Sequence, residues 1–178
     1  YSDRGQSVQL IPTAQYWQLS HRADPAALPL ADRHYNRQKP GTPQFVPPGR
    51  CIVLLTPGAD ALWVSSWPFA EYVKHEWAGA WICSLFRNES ALLSSDLIRE
   101  AVAITRRIWG EPPAFGMVTF VNTAMVRKKR DYGRCYRRAG WRPCGTTKGG
   151  LLALRIAPDQ MPEPVAPIGT QDSLSLIA

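Results

Sequence analysis

Apolar residues along this chain fall into short blocks broken by turn residues. Arg50-Cys51-Ile52-Val53-Leu54-Leu55-Thr56 is a nearly continuous apolar run, the pattern of a strand covered on both faces. Pro57-Gly58-Ala59-Asp60 then turns the chain, and Ala61-Leu62-Trp63-Val64-Ser65-Ser66-Trp67 reads as the return strand of a hairpin. Ala80 to Phe86 predicts a third strand, ending at Arg87. The period then changes. Leu97, Ala101, Ile104 and Ile108 recur at helical spacing behind Ser94 or Ser95 as N-cap, with Asp96 at the positive helix end and Gly110 and Pro112-Pro113 as the stop. Phe115 to Val121 predicts the next strand. A short helix near 131–139 and strands over 142–147 and 151–156 follow.

The chain ends are less regular. Residues 1–23 are ambiguous, with Val8-Gln9-Leu10-Ile11 as a first strand before Pro12. Asp24, Pro25, Leu28, Ala31, Asp32 and Tyr35 predict a helix over 24–36, against the weakening effect of Pro29. Residues 40–49 hold four prolines and two glycines around Phe45, which predicts a loop. Residues 157–178 hold four prolines and few large apolar groups, which predicts a tail outside the core. The expectation is one α/β domain over 1–156, with a mixed central sheet flanked by helices.

Charge narrows the partners. The chain has 21 Lys+Arg against 14 Asp+Glu, and all the bases lie in residues 1–156, which carry 11 acids and so a net charge of +10. That balance draws polyanions, nucleic acid first and phosphorylated small molecules second. No apolar run approaches a membrane span and no signal-peptide pattern opens the chain. Cys51, Cys83, Cys135 and Cys144 match no zinc spacing, and Cys51 and Cys83 sit in apolar runs, so a cytoplasmic location is expected.

Three groups of residues carry candidate chemistry. Ala31 to Gly41 packs His34, Tyr35, Arg33, Arg37 and Lys39 before the loop. His34 is a candidate base or metal ligand, and cations at a helix C-terminus are the plainer reading. Arg87-Asn88-Glu89 ends a strand before Ser94 and Ser95 open a helix, an arrangement suited to an anion, or to capping with an Arg87–Glu89 pair. Arg127 to Lys148 holds nine bases and one acid interleaved with Tyr132, Tyr136 and Trp141, a nucleic-acid pattern or a solvated face.

The order of these elements resembles the GNAT acyltransferases. Tyr132-Gly133-Arg134-Cys135-Tyr136-Arg137-Arg138-Ala139-Gly140-Trp141-Arg142 is similar to that superfamily's late helix of the form G-x-x-Y-x-x-x-G-F/W. The resemblance implies a GNAT-like fold, acetyl-CoA or another acyl donor, and Tyr136, with Tyr132 second, as the proton donor to the leaving thiolate. The superfamily's pyrophosphate loop, R/Q-x-x-G-x-G/A, is replaced here by the glycine-free Arg87-Asn88-Glu89-Ser90-Ala91-Leu92-Leu93-Ser94-Ser95.

Within that superfamily the chain looks like the phage Mom proteins, which add a carbamoylmethyl group to the exocyclic amine of adenine in DNA and so block restriction. The resemblance covers about residues 24–156. It implies His34, Arg87, Asn122 and Tyr136 as catalytic residues, and Arg87, Ser94, Ser95 and Tyr136 around the donor. Iron, linked to that family, would fall to His34 and Tyr35. Double-stranded DNA would be the partner, held by Arg33, Arg37, Lys39, Arg127, Lys128, Lys129, Arg130, Arg134, Arg137 and Arg138, in the cytoplasm of a host cell. The loop at 40–49, with Phe45 at its tip, would be wedge or lid. Two competing expectations remain: an N-acyltransferase on a small-molecule or protein amine, which calls for acids such as Asp32 or Glu89, and a DNA-binding protein without activity.

Overall fold

A computed structural model describes residues 11–37, 39–125 and 131–170. Arg127, Lys128, Lys129 and Arg130, and Val8 to Leu10 of the expected first strand, lie outside the described residues. The elements are β1 (Thr13–Leu19), α1 (Leu28–Asp32), β2 (Arg50–Leu55), β3 (Ala61–Trp67), β4 (Trp81–Asn88), α2 (Ser94–Trp109), β5 (Met117–Val121), α3 (Arg134–Arg138), β6 (Arg142–Thr146), β7 (Leu152–Ile156) and β8 (Ala166–Ile168). All strands join one mixed sheet, in the order β6-β7-β5-β4-β3-β2-β1-β8. The pairs β4–β5 and β1–β8 are parallel and the others antiparallel.

The unbroken apolar runs of β2 and β3 are explained by cover on both faces. On one face Ile52, Leu54, Trp63, Trp81 and Met117 pack against Leu97, Ile98, Ala101 and Ile104 of α2. On the other, Val53, Leu55, Leu62, Val64 and Leu85 pack against Ala27, Leu30, Ala31, Phe45 and Val46. Farther along that second face, Trp77 and Ala80 cover Ile82, Val118 and Ala153. The long helix α2 and the short α3 therefore lie on one face, while α1 and loops cover the other.

Several expectations are corrected. The helix predicted over 24–36 shrinks to Leu28–Asp32, because Asp24 spends its carboxylate on the Ala26 N–H and caps a turn instead. Ser94 and Ser95 do not cap α2; the cap position is the extended Leu93, with no side-chain bond. Ile108 is exposed, past the end of the buried stripe. Phe45 is no protruding tip, since it and Val46 are buried against the sheet. The stretch read as a tail also joins the fold. Met161 is buried, Ala166 donates its N–H to the Pro12 carbonyl, and β8 pairs with β1. Backbone pairing needs no large side chain, so composition did not reveal it.

Only Gln18 and Leu19 of β1 pair with β2. Farther back, the Glu100 carboxylate of α2 accepts the N–H groups of Gln15, Tyr16 and Trp17 at 2.8, 2.8 and 3.1 Å. Glu100→Ala should strip three donors of a charged acceptor and cost about 2 kcal/mol, read as a lower urea midpoint with an unchanged slope.

Candidate functional site

The strand ending at Arg87 and the strand leading to Asn122 are parallel neighbours joined by α2, as the pattern implies. Their pairing is short. Trp81, Ile82 and Cys83 match Met117, Val118 and Thr119, and there it stops. At the same level β4 carries a bulge: Val64 faces Leu85 and Ser65 faces Cys83, leaving Ser84 unmatched. Thr119 Oγ1 ties the last rung by donating to the Cys83 carbonyl at 3.1 Å. Beyond this point the strands part, and the slot between them is a cavity of about 570 Å³. Its walls are His34 to Asn36, Cys83 to Phe86, Ala91 to Ser95, Thr119 to Val121, and Gly133 to Tyr136 with Arg138.

Tyr136 is buried in the wall, its hydroxyl 3.6 Å from Cys83 Sγ. Burial holds its pKa well above the usual phenol value, so it keeps its proton at neutral pH. Burial likewise pushes the Cys83 thiol up to about 12, which leaves it protonated and a poor nucleophile. α3 is oriented by Gly133, whose φ of +72° directs the chain into the helix and whose absent Cβ would lie 2.3 Å from Leu154 Cδ1.

His34 stands just past the end of α1 and shares the slot with Tyr136, 102 residues away. Its ring stacks on Tyr35 at 4.5 Å between centroids, and Nδ1 accepts the Asn36 N–H at 3.2 Å. Burial first, then the Arg87 guanidinium, lower its pKa to about 4, against a backbone hydrogen bond at Phe86 that raises it. His34 is therefore neutral at pH 7. Folding favours the neutral ring, so the unfolded chain binds more protons between about pH 6.5 and 4. This contribution is present above pH 6.5 and is lost as pH falls toward 4. Urea unfolding from pH 7.5 to 4 should show stability declining across that window, with a smaller slope in His34→Gln.

Arg87 does not line the slot. Its guanidinium pairs with Glu89 and donates to the Arg33 carbonyl at 2.9 Å, while Arg33 grips Glu89 through two bonds of 2.7 Å. The two arginines hold the Glu89 carboxyl well down, at about 2. This network fastens the end of α1 to the end of β4 and so fixes His34 at the mouth. Arg37 is engaged within the chain as well. It pairs with Asp32 and donates to the Thr42 and Gln44 carbonyls, and its side chain is only 9% exposed. Arg137 pairs with Asp131 at 2.5 Å. Lys39 is exposed on the loop.

Asn122 lies outside the lining, because its side-chain oxygen caps the next turn through the Ala124 N–H. Its backbone N–H reaches the Tyr35 hydroxyl at 3.4 Å. Ser94 and Ser95 do line the slot. Sequence reading missed Asn88, which ties the loop to Ser94. Its side chain donates to Leu92 O and Ser94 Oγ and accepts the Ser90 N–H, an Asx turn that Asn followed two residues later by Ser could have signalled. His34 and Tyr35, the residues expected to hold iron, each accept a backbone N–H, and the described residues hold no group of three His, Cys, Asp or Glu suited to a metal. No helix among the described residues is long and apolar enough to cross a membrane.

Among the described residues the lining contains no carboxylate, and its ionised groups are Arg134 and Arg138. Against known proteins, the chain matches no family model, no curated protein and no solved structure.

Proposed function

We propose that this chain is a transferase that modifies a base in double-stranded DNA at the slot between β4 and β5, on a GNAT-like fold and in the manner of the phage Mom proteins. The observation that carries the reading is the slot itself: cationic, free of carboxylates, opened by two parting parallel strands, with a protonated tyrosine hydroxyl in its wall. Parting of the two central parallel strands and a tyrosine from the following basic helix both support the GNAT resemblance. The net charge supports a polyanionic partner.

In this reading the target base leaves the stack to enter the slot. The exocyclic amine nitrogen bonds to the donor carbon, and the bond from that carbon to its leaving group breaks. The leaving group takes the Tyr136 proton, and the phenolate left behind takes up the proton shed by the amine. His34 orients rather than removes a proton, since its Nδ1 lone pair is engaged by the Asn36 N–H. The donor is an acyl-type molecule such as acetyl-CoA.

The small-amine alternative needs an acid to hold a cationic acceptor. Asp32 is spent on Arg37 and the Gly41 N–H, and Glu89 on Arg33 and Arg87. The DNA reading is tested by mass spectrometry of nucleosides from DNA of cells expressing the protein. The expected result is a new adenosine adduct. Unmodified DNA alongside retained DNA affinity would favour the non-enzymatic binding protein.

A further inference from the structure

Part of the loop before α2 has its backbone donors already engaged. Ser90 N–H is spent on Asn88 Oδ1 at 2.9 Å, and Leu92 N–H on Ser90 Oγ at 3.1 Å. Asp96 and Leu97 return their N–H groups to the Leu93 carbonyl. The loop also lacks glycine, so side chains stand between its backbone and any ligand. Positive charge enters the slot from the other wall instead. Arg134 and Arg138 are four residues apart, on one face of α3, and both line the cavity. Neither guanidinium has a hydrogen bond or ion pair among the described residues. Arg33, Arg37, Arg87, Arg99 and Arg137 are all paired with carboxylates.

We infer that Arg134 and Arg138 form the anion subsite of the slot and hold the phosphorylated part of a small-molecule donor, rather than the DNA backbone. This rests on the transferase reading and names the class of its donor. Two guanidiniums one helical turn apart call for at least two negative charges, which a phosphate or pyrophosphate supplies and a single carboxylate does not. No acid stands in the lining among the described residues to compete for them. Tyr136 lines the same cavity, so a donor held there can turn its leaving group toward the phenol that protonates it.

The test is calorimetric titration of the full chain with inorganic pyrophosphate, in parallel with binding of a 30-base-pair duplex. Arg134→Gln and Arg138→Gln should each weaken pyrophosphate binding about tenfold or more, and together abolish it. Duplex affinity should change by less than about twofold, because many other bases contribute. Arg142→Gln, on the exposed β6 and outside the lining, removes the same charge and should leave pyrophosphate binding unchanged. Pyrophosphate binding that is absent from the native chain, or that survives in the double variant, overturns the inference. So does a loss shared equally by pyrophosphate and duplex, or confined to the duplex. Should the glutamine pair melt, Arg134→Lys with Arg138→Lys keeps charge and stem but loses the bidentate fork, and is expected to show the same selective weakening. An absence of modified nucleosides would sink the transferase reading without altering this titration.

Discussion

Tyr136→Phe is expected to lower the proposed transfer by about 10²–10⁴-fold, the usual worth of a positioned general acid, while thermal unfolding barely moves. The ring is packed between Phe86 and Trp141, with centroids at 6.2 and 5.2 Å, and phenylalanine keeps those contacts. What is lost is one hydroxyl that meets the Cys83 thiol at 3.6 Å, a long and weak bond, and interacts with the Thr119 side chain. The stability cost should therefore stay near the low end of about 0.5–1.5 kcal/mol. On the proposed reading, the phenol serves a leaving group and contributes little to the fold. Single-turnover rates on duplex DNA, set against melting curves of the same preparations, check both halves. An unchanged rate removes Tyr136 from the chemistry, and a collapse in melting temperature makes it structural.

Gly116→Ala is expected to be the most damaging small substitution. Gly116 enters β5 with φ of +70°, and a Cβ there would lie 2.0 Å from the Ile156 carbonyl oxygen of β7. Its own carbonyl accepts the Trp81 N–H, so the residue clamps β4, β5 and β7 at the end of their pairing away from the slot. Relief requires the backbone of two strands to move. The left-handed conformation and the overlap together should cost about 3 kcal/mol or more, and lower the melting temperature by about 6–12 °C. Gly110→Ala is the control. It has φ of +80° but nothing within 4 Å, so it should lose only about 1 kcal/mol. Equal losses for the two variants would mean that strand approach at Gly116 is not limiting.

The central part of the fold was legible because side-chain periodicity carried it. The runs of β2 and β3, the α2 stripe from Leu97 to Ile104 and the strand after Gly116 all announce burial through residue type. Parallel pairing of β4 with β5 followed from the intervening helix. β1 and β8 were illegible for the opposite reason. β1 is held by Glu100 and β8 by backbone pairing, and neither leaves an apolar pattern. The same division holds at the site. His34 and Tyr136 could be brought together in advance, since topology places the end of α1 and the start of α3 at the mouth of the same two strands. The fates of Arg33, Arg37 and Arg87 could not. Whether an arginine meets a phosphate or a neighbouring carboxylate depends on Asp32 and Glu89 arriving within about 3 Å, and chain order does not encode that distance. For the same reason Arg134 and Arg138, which belong to a general basic run in the sequence, stand apart from Arg137 only once the helix face is known.

The slot between β4 and β5 as the place where a DNA base meets the donor is tested most directly by photo-crosslinking. A duplex carrying 8-azidoadenine is irradiated with the protein, and the labelled peptides are mapped. The account predicts label on residues 34–36, 83–86 or 119–121, competed away by unmodified duplex. Label confined to the exposed aromatic segment around Phe69 and Tyr72, at the other end of the sheet, would contradict it.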